Sequence, residues 1–216
     1  MPRAIAILLA LLLPLPALAQ APSTLAPRVR FETSVGDFVV EVDAVRAPLT
    51  AENFLRYVRE GAYDGTVFHR VIANFVVQGG GYDERLAERP ARGPIPNESG
   101  NGLSNRRGTL GLAREESPHS GSSQFYVNLV DNAGLDPLPS RWGYAVFGRV
   151  VEGMDVLDKI GYMRTETVES FGADVPVDRP VVRRAYVIDG GAPPAPPATA
   201  PQPAEPQQEP QPDPAQ

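Results

Sequence analysis

The sequence predicts a mainly β fold, either an antiparallel barrel or a sandwich, with two helices. Eight short segments are rich in β-branched and aromatic residues, whereas only two segments carry apolar residues at helical spacing. The chain has 216 residues, 42% of them hydrophobic, which is enough to bury a substantial core within one domain. Of the two β architectures, a closed barrel is the one that leaves no strand edge exposed.

The two ends of the chain differ in composition from the domain between them, which is placed at residues 29–189. Residues 1–19 combine Arg3, an apolar run and the small-residue pattern Ala17-Leu18-Ala19, which is typical of a cleaved secretory signal peptide. The run is too short and too interrupted by proline for stable membrane insertion, and an uncleaved anchor is the alternative. Residues 20–28 are expected to form a mobile leader, and the Pro/Gln-rich residues 190–216 a disordered tail.

Several function classes are disfavoured by what the sequence lacks. The formal net charge is −6 and there is no basic cluster, which argues against a nucleic-acid ligand. His69 and His119 are the only histidines and there is no cysteine, so neither a metal site nor a cofactor is expected. An exported form would therefore be held together by packing without disulfides, and a monomer is the default expectation.

The first third of the domain predicts two strands and a helix. Residues 29–33 and 37–42 are β-rich and flank Ser34-Val35-Gly36, which indicates a hairpin. Thr50 is predicted to be the N-cap of a helix that runs through Glu60, with Gly61 as its C-terminal stop. The buried face of this helix is expected to carry Phe54, Leu55 and Val58.

Residues 68–80 carry two apolar runs around one arginine and one amide, Arg70 and Gln78. Strand alternation predicts that Phe68 and Arg70 share one face and that, on a second strand, Val76 and Gln78 lie opposite Phe75 and Val77. Such a surface suits the binding of an uncharged ligand, or a reaction that moves no protons. Two core strands with an arginine that reaches solvent are the alternative.

The remainder of the domain predicts a long loop, four strands and a second helix. Residues 82–107 are polar and rich in Gly, Pro and Asn, so they are expected to form a surface loop that is either functional or a tolerated insertion. Asn97, Asn101 and Asn105 are expected to bond the backbone of this loop. Strands are predicted at residues 109–113, 124–129, 144–150 and 181–188, and a helix at residues 151–160.

Four blocks of sequence, FHRVIANFVVQGGG, PIPNESGNGLSNRRGTLGLAR, SGSSQFYVNLVDN and WGYAVFGRVVEGMDVLDKI, resemble the cyclophilin family of peptidyl-prolyl cis-trans isomerases in its exported bacterial form. The resemblance covers about residues 29–189. It implies a closed eight-stranded antiparallel β-barrel capped by two α-helices, with an outer groove that binds Xaa-Pro segments. It also implies a periplasmic enzyme that acts during the folding of exported proteins.

The same resemblance implies a role for each residue of the groove. Arg70 matches the catalytic arginine, and Gln78 matches the amide that positions it. The substrate-binding positions are Phe75, Val76, Ala113, Arg114, Gln124, Tyr126, Leu135 and Tyr144. Of these, Val76, Tyr126 and Tyr144 depart from the commonest residues of the family, which are Met, Phe and, in many eukaryotic members, His. Gly134 replaces a typical aromatic residue, and Trp142 is a candidate to fill the space it leaves.

Less specific interpretations stay open for several of these residues. Phe75, Phe125 and Tyr126 could be barrel core, and Phe125 is expected to be so. His69 is predicted to be a structural, hydrogen-bonded residue that faces away from Arg70, and His119 is predicted to be solvated. Beside an isomerase, the sequence allows a non-catalytic module that binds proline peptides, or a scaffold that recruits a partner through its tail.

Overall fold

Eight of the ten strands in the computed structural model form one antiparallel sheet that curls until its edge strands meet. The structure describes residues 26–188, so the predicted signal peptide, the tail and most of the leader lie outside the described residues. The strands are β1 (Arg28–Thr33), β2 (Asp37–Val42), β3 (Thr66–Ile72), β4 (Val76–Asp83), β5 (Thr109–Leu112), β6 (Phe125–Asn128), β7 (Val146–Glu152), β8 (Thr165–Val168), β9 (Gly172–Pro176) and β10 (Val182–Val187). The helices are α1 (Pro48–Arg59) and α2 (Met154–Gly161), together with a 3-10 helix at Ala133–Leu135.

The order of strands around the sheet is β10-β1-β2-β7-β5-β6-β4-β3. The outermost strands, β3 and β10, approach each other through an isolated bridge between Val67 and Val181. Two backbone hydrogen bonds join the same edges, from Phe68 N to Pro180 O (3.0 Å) and from Gly65 N to Val182 O (2.8 Å). The predicted eight-stranded antiparallel barrel with two helices is confirmed.

Aromatic side chains fill the barrel. Phe31 stacks on Phe38 with ring centroids 4.8 Å apart, and Phe125 makes T-shaped contacts with Phe54 and Tyr63. The fully buried aromatic residues are Phe31, Phe38, Phe54, Tyr63, Phe68, Phe125 and Phe147. Because close-packed interiors leave no room for a ligand, a binding site must lie on the outside of the barrel.

Helix α1 begins two residues before the predicted N-cap. Pro48 occupies the first turn, where the missing N–H costs nothing, and Ala47 is the N-cap. Thr50 therefore lies inside the helix, where its hydroxyl donates to the Glu98 carboxylate (2.7 Å). The predicted C-terminal stop is confirmed, since Gly61 adopts a left-handed φ of +65°. The predicted buried face is confirmed as well.

The C-terminal part of the domain contains the largest departures from the predicted elements. Strand β7 extends to Glu152, so α2 begins at Met154 and not at Val151. Gly153 separates them with a φ of +77°, which most side chains disfavour. The hairpin of β8 and β9 was not predicted, because its polar, largely exposed residues lack an apolar alternation.

Candidate active site

Three side chains stand side by side on the outer face of the barrel. Arg70 of β3 pairs with Gln78 of β4, which pairs with Tyr126 of β6. Residues directly opposite in antiparallel strands project from the same face, so these three line one surface. The next residue in this row is Gly111 of β5, opposite Tyr126.

A β-bulge sets the orientation of Arg70. Phe68 pairs with Gly79 and Arg70 pairs with Gln78, so two steps along β3 correspond to one step along β4. As a result Phe68 packs among the buried hydrophobic residues inside the barrel, the interior cluster, whereas the side chain of Arg70 is 40% exposed. The prediction that Phe68 and Arg70 share a face is wrong, because strict alternation does not hold through a bulge.

Two glutamine side chains hold the arginine in place. Arg70 Nη1 donates to Gln78 Oε1 (3.2 Å), and Gln78 Nε2 donates to Gln124 Oε1 (2.9 Å). Asp174 of β9 lies beside the guanidinium with its Oδ2 3.8 Å from Nε, and no sequence pattern indicated this partner. Both members of that ion pair are about 40% exposed, so water screens the interaction and the guanidinium stays accessible.

The apolar wall beside these polar groups comes from the end of the β3–β4 hairpin and from β6. Val76 is 2% exposed and lies outside the interior cluster, next to the core residue Val77. Phe75 was predicted to lie on the second strand, but it belongs to the turn before β4, where Asn74 has a φ of +56°. Tyr126 is 4% exposed and covers Gly111, where a Cβ atom would lie 2.7 Å from the tyrosine Cε1 and nearer still to Cζ.

The far side of the groove is assembled from irregular segments. Tyr126 meets Tyr144 edge to face at 6.0 Å between ring centroids, and the Arg114 guanidinium lies over the Tyr144 ring at 4.3 Å. Tyr144 N donates to the carbonyl of Leu135, which ends the 3-10 helix (2.9 Å). Ala113, directly after β5, donates its N–H to Gln124 O (2.9 Å). The structure thus brings predicted residues of β3, β4, β6, the segment after β5 and the 3-10 helix to one surface.

The space beside Gly134 is not filled by Trp142 in the described contacts. The Trp142 ring is 47% exposed and meets the His119 ring at 5.1 Å. A Cβ atom at Gly134 would meet nothing within 4 Å, and the Gly134 carbonyl accepts from Arg141 Nη2 (2.7 Å). His119 is exposed, as expected, but its Nδ1 also accepts a hydrogen bond from Asn97 N (3.0 Å). The side of the groove next to Gly134 is therefore open.

His69 is buried beneath the β8–β9 hairpin. Its ring meets Tyr82 at 4.7 Å and Phe171 at 6.2 Å, so His69 and Arg70 both lie on the side of the barrel that faces the hairpin. The prediction that they face opposite ways is wrong for the same reason as for Phe68, since the bulge turns both outwards. Burial lowers the pKa of His69 to about 4, so it is neutral at pH 7. Its Nδ1 is buried without a hydrogen-bond partner in the described part of the chain, which departs from the predicted hydrogen-bonded role at that atom.

The three loop asparagines do not behave alike. The Oδ1 atoms of Asn97 and Asn101 accept from N–H groups of their own loop, whereas their Nδ2 atoms donate to carbonyls outside it. Asn105 instead bonds away from the loop, to Tyr126 and Asp136, and this corrects the expectation for it. Loop composition signals that asparagines bond backbone, but it does not reveal which strand lies beneath them.

The chemistry that the groove offers is electrostatic. It combines one accessible guanidinium with amides that orient it and aromatic and aliphatic surface beside it. Among residues 26–188 no group of three or more His, Asp or Glu side chains is placed to hold a metal ion. In the same part of the chain no helix has the length and apolar character needed to cross a membrane.

Comparisons with known proteins agree with this architecture. Residues 28–187 match the family model described as cyclophilin type peptidyl-prolyl cis-trans isomerase. The chain is 46% identical over 163 residues to peptidyl-prolyl cis-trans isomerase cyp18 of Streptomyces antibioticus, an alignment covering 74% of this chain and 98% of the relative. It is 44% identical over 164 residues to peptidyl-prolyl cis-trans isomerase B of Escherichia coli K12, which covers 74% of this chain and 99% of that protein.

A solved structure shares the fold. The crystal structure of a cyclophilin type peptidyl-prolyl cis-trans isomerase of Cryptosporidium parvum superposes with a TM-score of 0.62 at 24% identity, over 77% of this chain and 99% of that one. At this identity the likeness supports the fold, while the bacterial relatives and the family match support the activity. The chain therefore belongs to the cyclophilin family and is a peptidyl-prolyl cis-trans isomerase.

Proposed function

We propose that the groove accelerates rotation about Xaa-Pro bonds by binding the twisted amide more tightly than the planar one. Rotation of a peptide bond costs about 18–20 kcal/mol because the nitrogen lone pair is shared with the carbonyl. When the bond twists this sharing is lost, and the prolyl nitrogen becomes a better hydrogen-bond acceptor. A guanidinium aimed at that nitrogen therefore stabilises the transition state selectively.

The observation that carries this proposal is the state of Arg70. A guanidinium has five N–H donors, and the described hydrogen bonds of Arg70 engage only Nη1, with Gln78. The remaining donors point from a side chain that is 40% exposed, so a peptide can reach them. Neither covalent nor acid–base chemistry is required, in keeping with a neutral, buried His69.

Arg70 cannot supply the whole acceleration. A hydrogen bond to a charged group contributes about 1.5–3 kcal/mol, and each tenfold in rate needs about 1.4 kcal/mol, so one such bond gives roughly one or two decades. The remainder is assigned to orientation by Gln78 and to exclusion of water by the apolar wall. A twisted amide is less dipolar than a planar one and loses less when water leaves. The wall and rim residues in this proposal are Phe75, Val76, Tyr126, Leu135 and Tyr144, and the peptide backbone would lie along Ala113 and Arg114 beside Gln124.

Replacement of Arg70 tests the proposal. We expect Arg70→Ala to lower kcat/KM for an Xaa-Pro peptide by roughly 100-fold or more while the fold is retained, as loss of an electrostatic stabiliser does. The matched control is Arg59→Ala at the end of α1, where the arginine forms an exposed ion pair with Glu52, and we expect this variant to retain activity. An Arg70→Ala variant as fast as the parent in a proline-isomer assay would refute the assignment.

The same assay separates catalysis from simple binding. A module that only held proline peptides would bind them without any rate enhancement in the parent protein. The Cryptosporidium parvum relative was also crystallised in the presence of the dipeptide Ala-Pro, which supports a groove that takes short proline-containing ligands. Arg70 and Gln78 match the catalytic arginine and the positioning amide of the family, and the presence of both favours a catalyst over a module that only binds.

We further propose that the enzyme acts in the periplasm, as a monomer, on exported proteins with exposed Xaa-Pro segments. The support is the signal-like composition of residues 1–19. Cell fractionation and N-terminal sequencing test this proposal. We expect a periplasmic protein that begins at Gln20, whereas a cytosolic product that retains Met1 would refute it.

A further inference from the structure

The amide of Asn105 lies directly beneath the aromatic wall of the groove. The residue is 1% exposed, although it belongs to a loop of irregular backbone. Its Oδ1 accepts from the Tyr126 hydroxyl (2.6 Å) and from Asn128 Nδ2 (3.3 Å). Its Nδ2 donates to Asp136 Oδ1 (2.9 Å) and to the carbonyl of Tyr144 (3.4 Å).

This arrangement uses the full capacity of a carboxamide, which has two donors and two acceptor positions. The backbone of Asn105 takes part as well, because its N–H donates to Asp136 Oδ1 (2.7 Å) and its carbonyl accepts from Asn132 N (2.7 Å). A buried amide is costly unless it is hydrogen-bonded, and here every bond runs to another segment. One side chain thus ties together the loop, β6, the 3-10 helix and the segment before β7.

The hydrogen-bond partners of Asn105 are either groove residues themselves or residues that belong to or flank an element carrying one. Tyr126 is itself a wall residue, Tyr144 is bonded through its own carbonyl, and Asp136 and Asn132 flank the 3-10 helix that carries Leu135. Asn132 Nδ2 extends the network by donating to the Phe75 carbonyl (3.0 Å). None of these bonds involves Arg70 or Gln78, which are bonded to each other and to Gln124.

We propose that Asn105 is a positioning residue that fixes the shape of the prolyl-binding wall by holding Tyr126, Tyr144 and the 3-10 helix in register. This inference rests on the proposed function of the groove, and it adds a residue that does not touch the substrate. Burial keeps the pKa of Tyr126 well above its usual range, so its hydroxyl remains a donor at neutral pH. The hydrogen bond from Tyr126 to Asn105 is therefore kept at neutral pH.

Steady-state kinetics on Asn105→Ala test the proposal. Because the wall loosens while the arginine and its glutamines stay in place, we expect KM for an Xaa-Pro peptide to rise roughly tenfold, with kcat changed less than about threefold. The matched control is Asn101→Ala, which removes the side-chain amide of another asparagine in the same loop. Asn101 Nδ2 donates to the Val146 carbonyl (2.9 Å) and bonds no groove residue among those described, so we expect KM to stay unchanged.

A double-mutant cycle with Tyr126→Phe distinguishes positioning from general destabilisation. The Tyr126→Phe variant already lacks one of the hydrogen bonds through which Asn105 acts. Asn105→Ala should therefore raise KM less in Tyr126→Phe than in the parent protein. Should Asn105→Ala fail to fold, Asp136→Ala cuts two of the same bonds at a less buried position, and KM should again rise.

The proposal is overturned if Asn105→Ala, or Asp136→Ala in its place, leaves KM at the parental value, or if Asn101→Ala raises KM equally. It is also overturned if the effects of Tyr126→Phe and Asn105→Ala on KM are simply multiplicative. The proposed function is judged by the parent protein and Arg70→Ala in the same assay. An active parent with an unaffected Asn105→Ala would therefore remove only this inference.

Discussion

At the scale of single residues, the groove depends on a position with no side chain. Gly111 lies opposite Tyr126, and the tyrosine ring occupies the space that a Cβ atom would need. Because β5 and β6 are paired strands, neither can withdraw easily from such an overlap. The absence of a side chain at Gly111 is therefore what lets Tyr126 lie flat against the barrel as a wall of the groove.

We expect Gly111→Ala to destabilise the protein by about 1–3 kcal/mol, the usual cost of overpacking, and to raise KM because the Tyr126 ring is displaced. Urea unfolding and steady-state kinetics measure the two effects. Gly93→Ala is the matched control, since a Cβ atom there meets nothing within 4 Å, and it should change stability by less than about 0.5 kcal/mol. Equal stability of the two variants would contradict this account of the wall.

His69 makes the stability of the protein depend on pH. Its pKa falls from 6.5 to about 4 on folding, so the unfolded chain binds the proton more tightly and stability is lost as the pH falls from about 6.5 towards 4. Between pH 7.5 and pH 5.5 we expect a loss on the order of 1 kcal/mol in the free energy of unfolding. Urea unfolding at the two pH values measures it. A His69→Gln variant should lack this part of the pH dependence, and an identical dependence in both proteins would contradict the burial of a neutral imidazole.

At the scale of elements, the β8–β9 hairpin forms a cover over the outer side of β3. Phe171, in the turn between β8 and β9, meets Tyr82 at 4.7 Å and lies over His69. Asp174 of the same hairpin lies beside Arg70. The hairpin therefore shields His69 from water and lies alongside Arg70, although its own strands belong to a separate two-stranded sheet.

If the hairpin keeps water from His69, then Phe171→Ala should raise the pKa of His69 from about 4 towards 6.5. Titration of the imidazole followed by NMR measures this pKa directly. Phe171→Leu, which retains most of the apolar cover, should shift it much less. A His69 pKa that stays near 4 in Phe171→Ala would show that the cover comes from other residues.

The helix boundaries show where local sequence signals fail. Thr50 is a favourable N-cap residue, yet Pro48 is better suited to the first turn and extends the helix towards the N-terminus. The threonine hydroxyl is then free to bond Glu98, which lies 48 residues further along the chain. A capping preference of about 1 kcal/mol is easily outweighed by tertiary contacts of this kind.

At the scale of the whole molecule, the architecture could be predicted and the exact orientation of side chains could not. The periodic strands, the two helices and the barrel followed from the sequence and from its resemblance to the cyclophilins. The bulge at Phe68–Arg70 could not be predicted, because it depends on the register of β3 against β4. Asn105 and Asp174 were missed for a related reason, since their partners are distant in the sequence and are brought close only by the tertiary fold.

The central claim is that Arg70 stabilises the twisted amide more than the planar one, and a comparison of binding with turnover tests it most directly. Line-shape analysis of an Xaa-Pro peptide by NMR yields both the Kd and the catalysed exchange rate. For Arg70→Ala we expect the Kd to stay within about threefold of the parent, while kcat/KM falls roughly 100-fold. A Kd that weakens in proportion to the loss of kcat/KM would instead show that Arg70 binds both states of the amide equally, and would contradict the account.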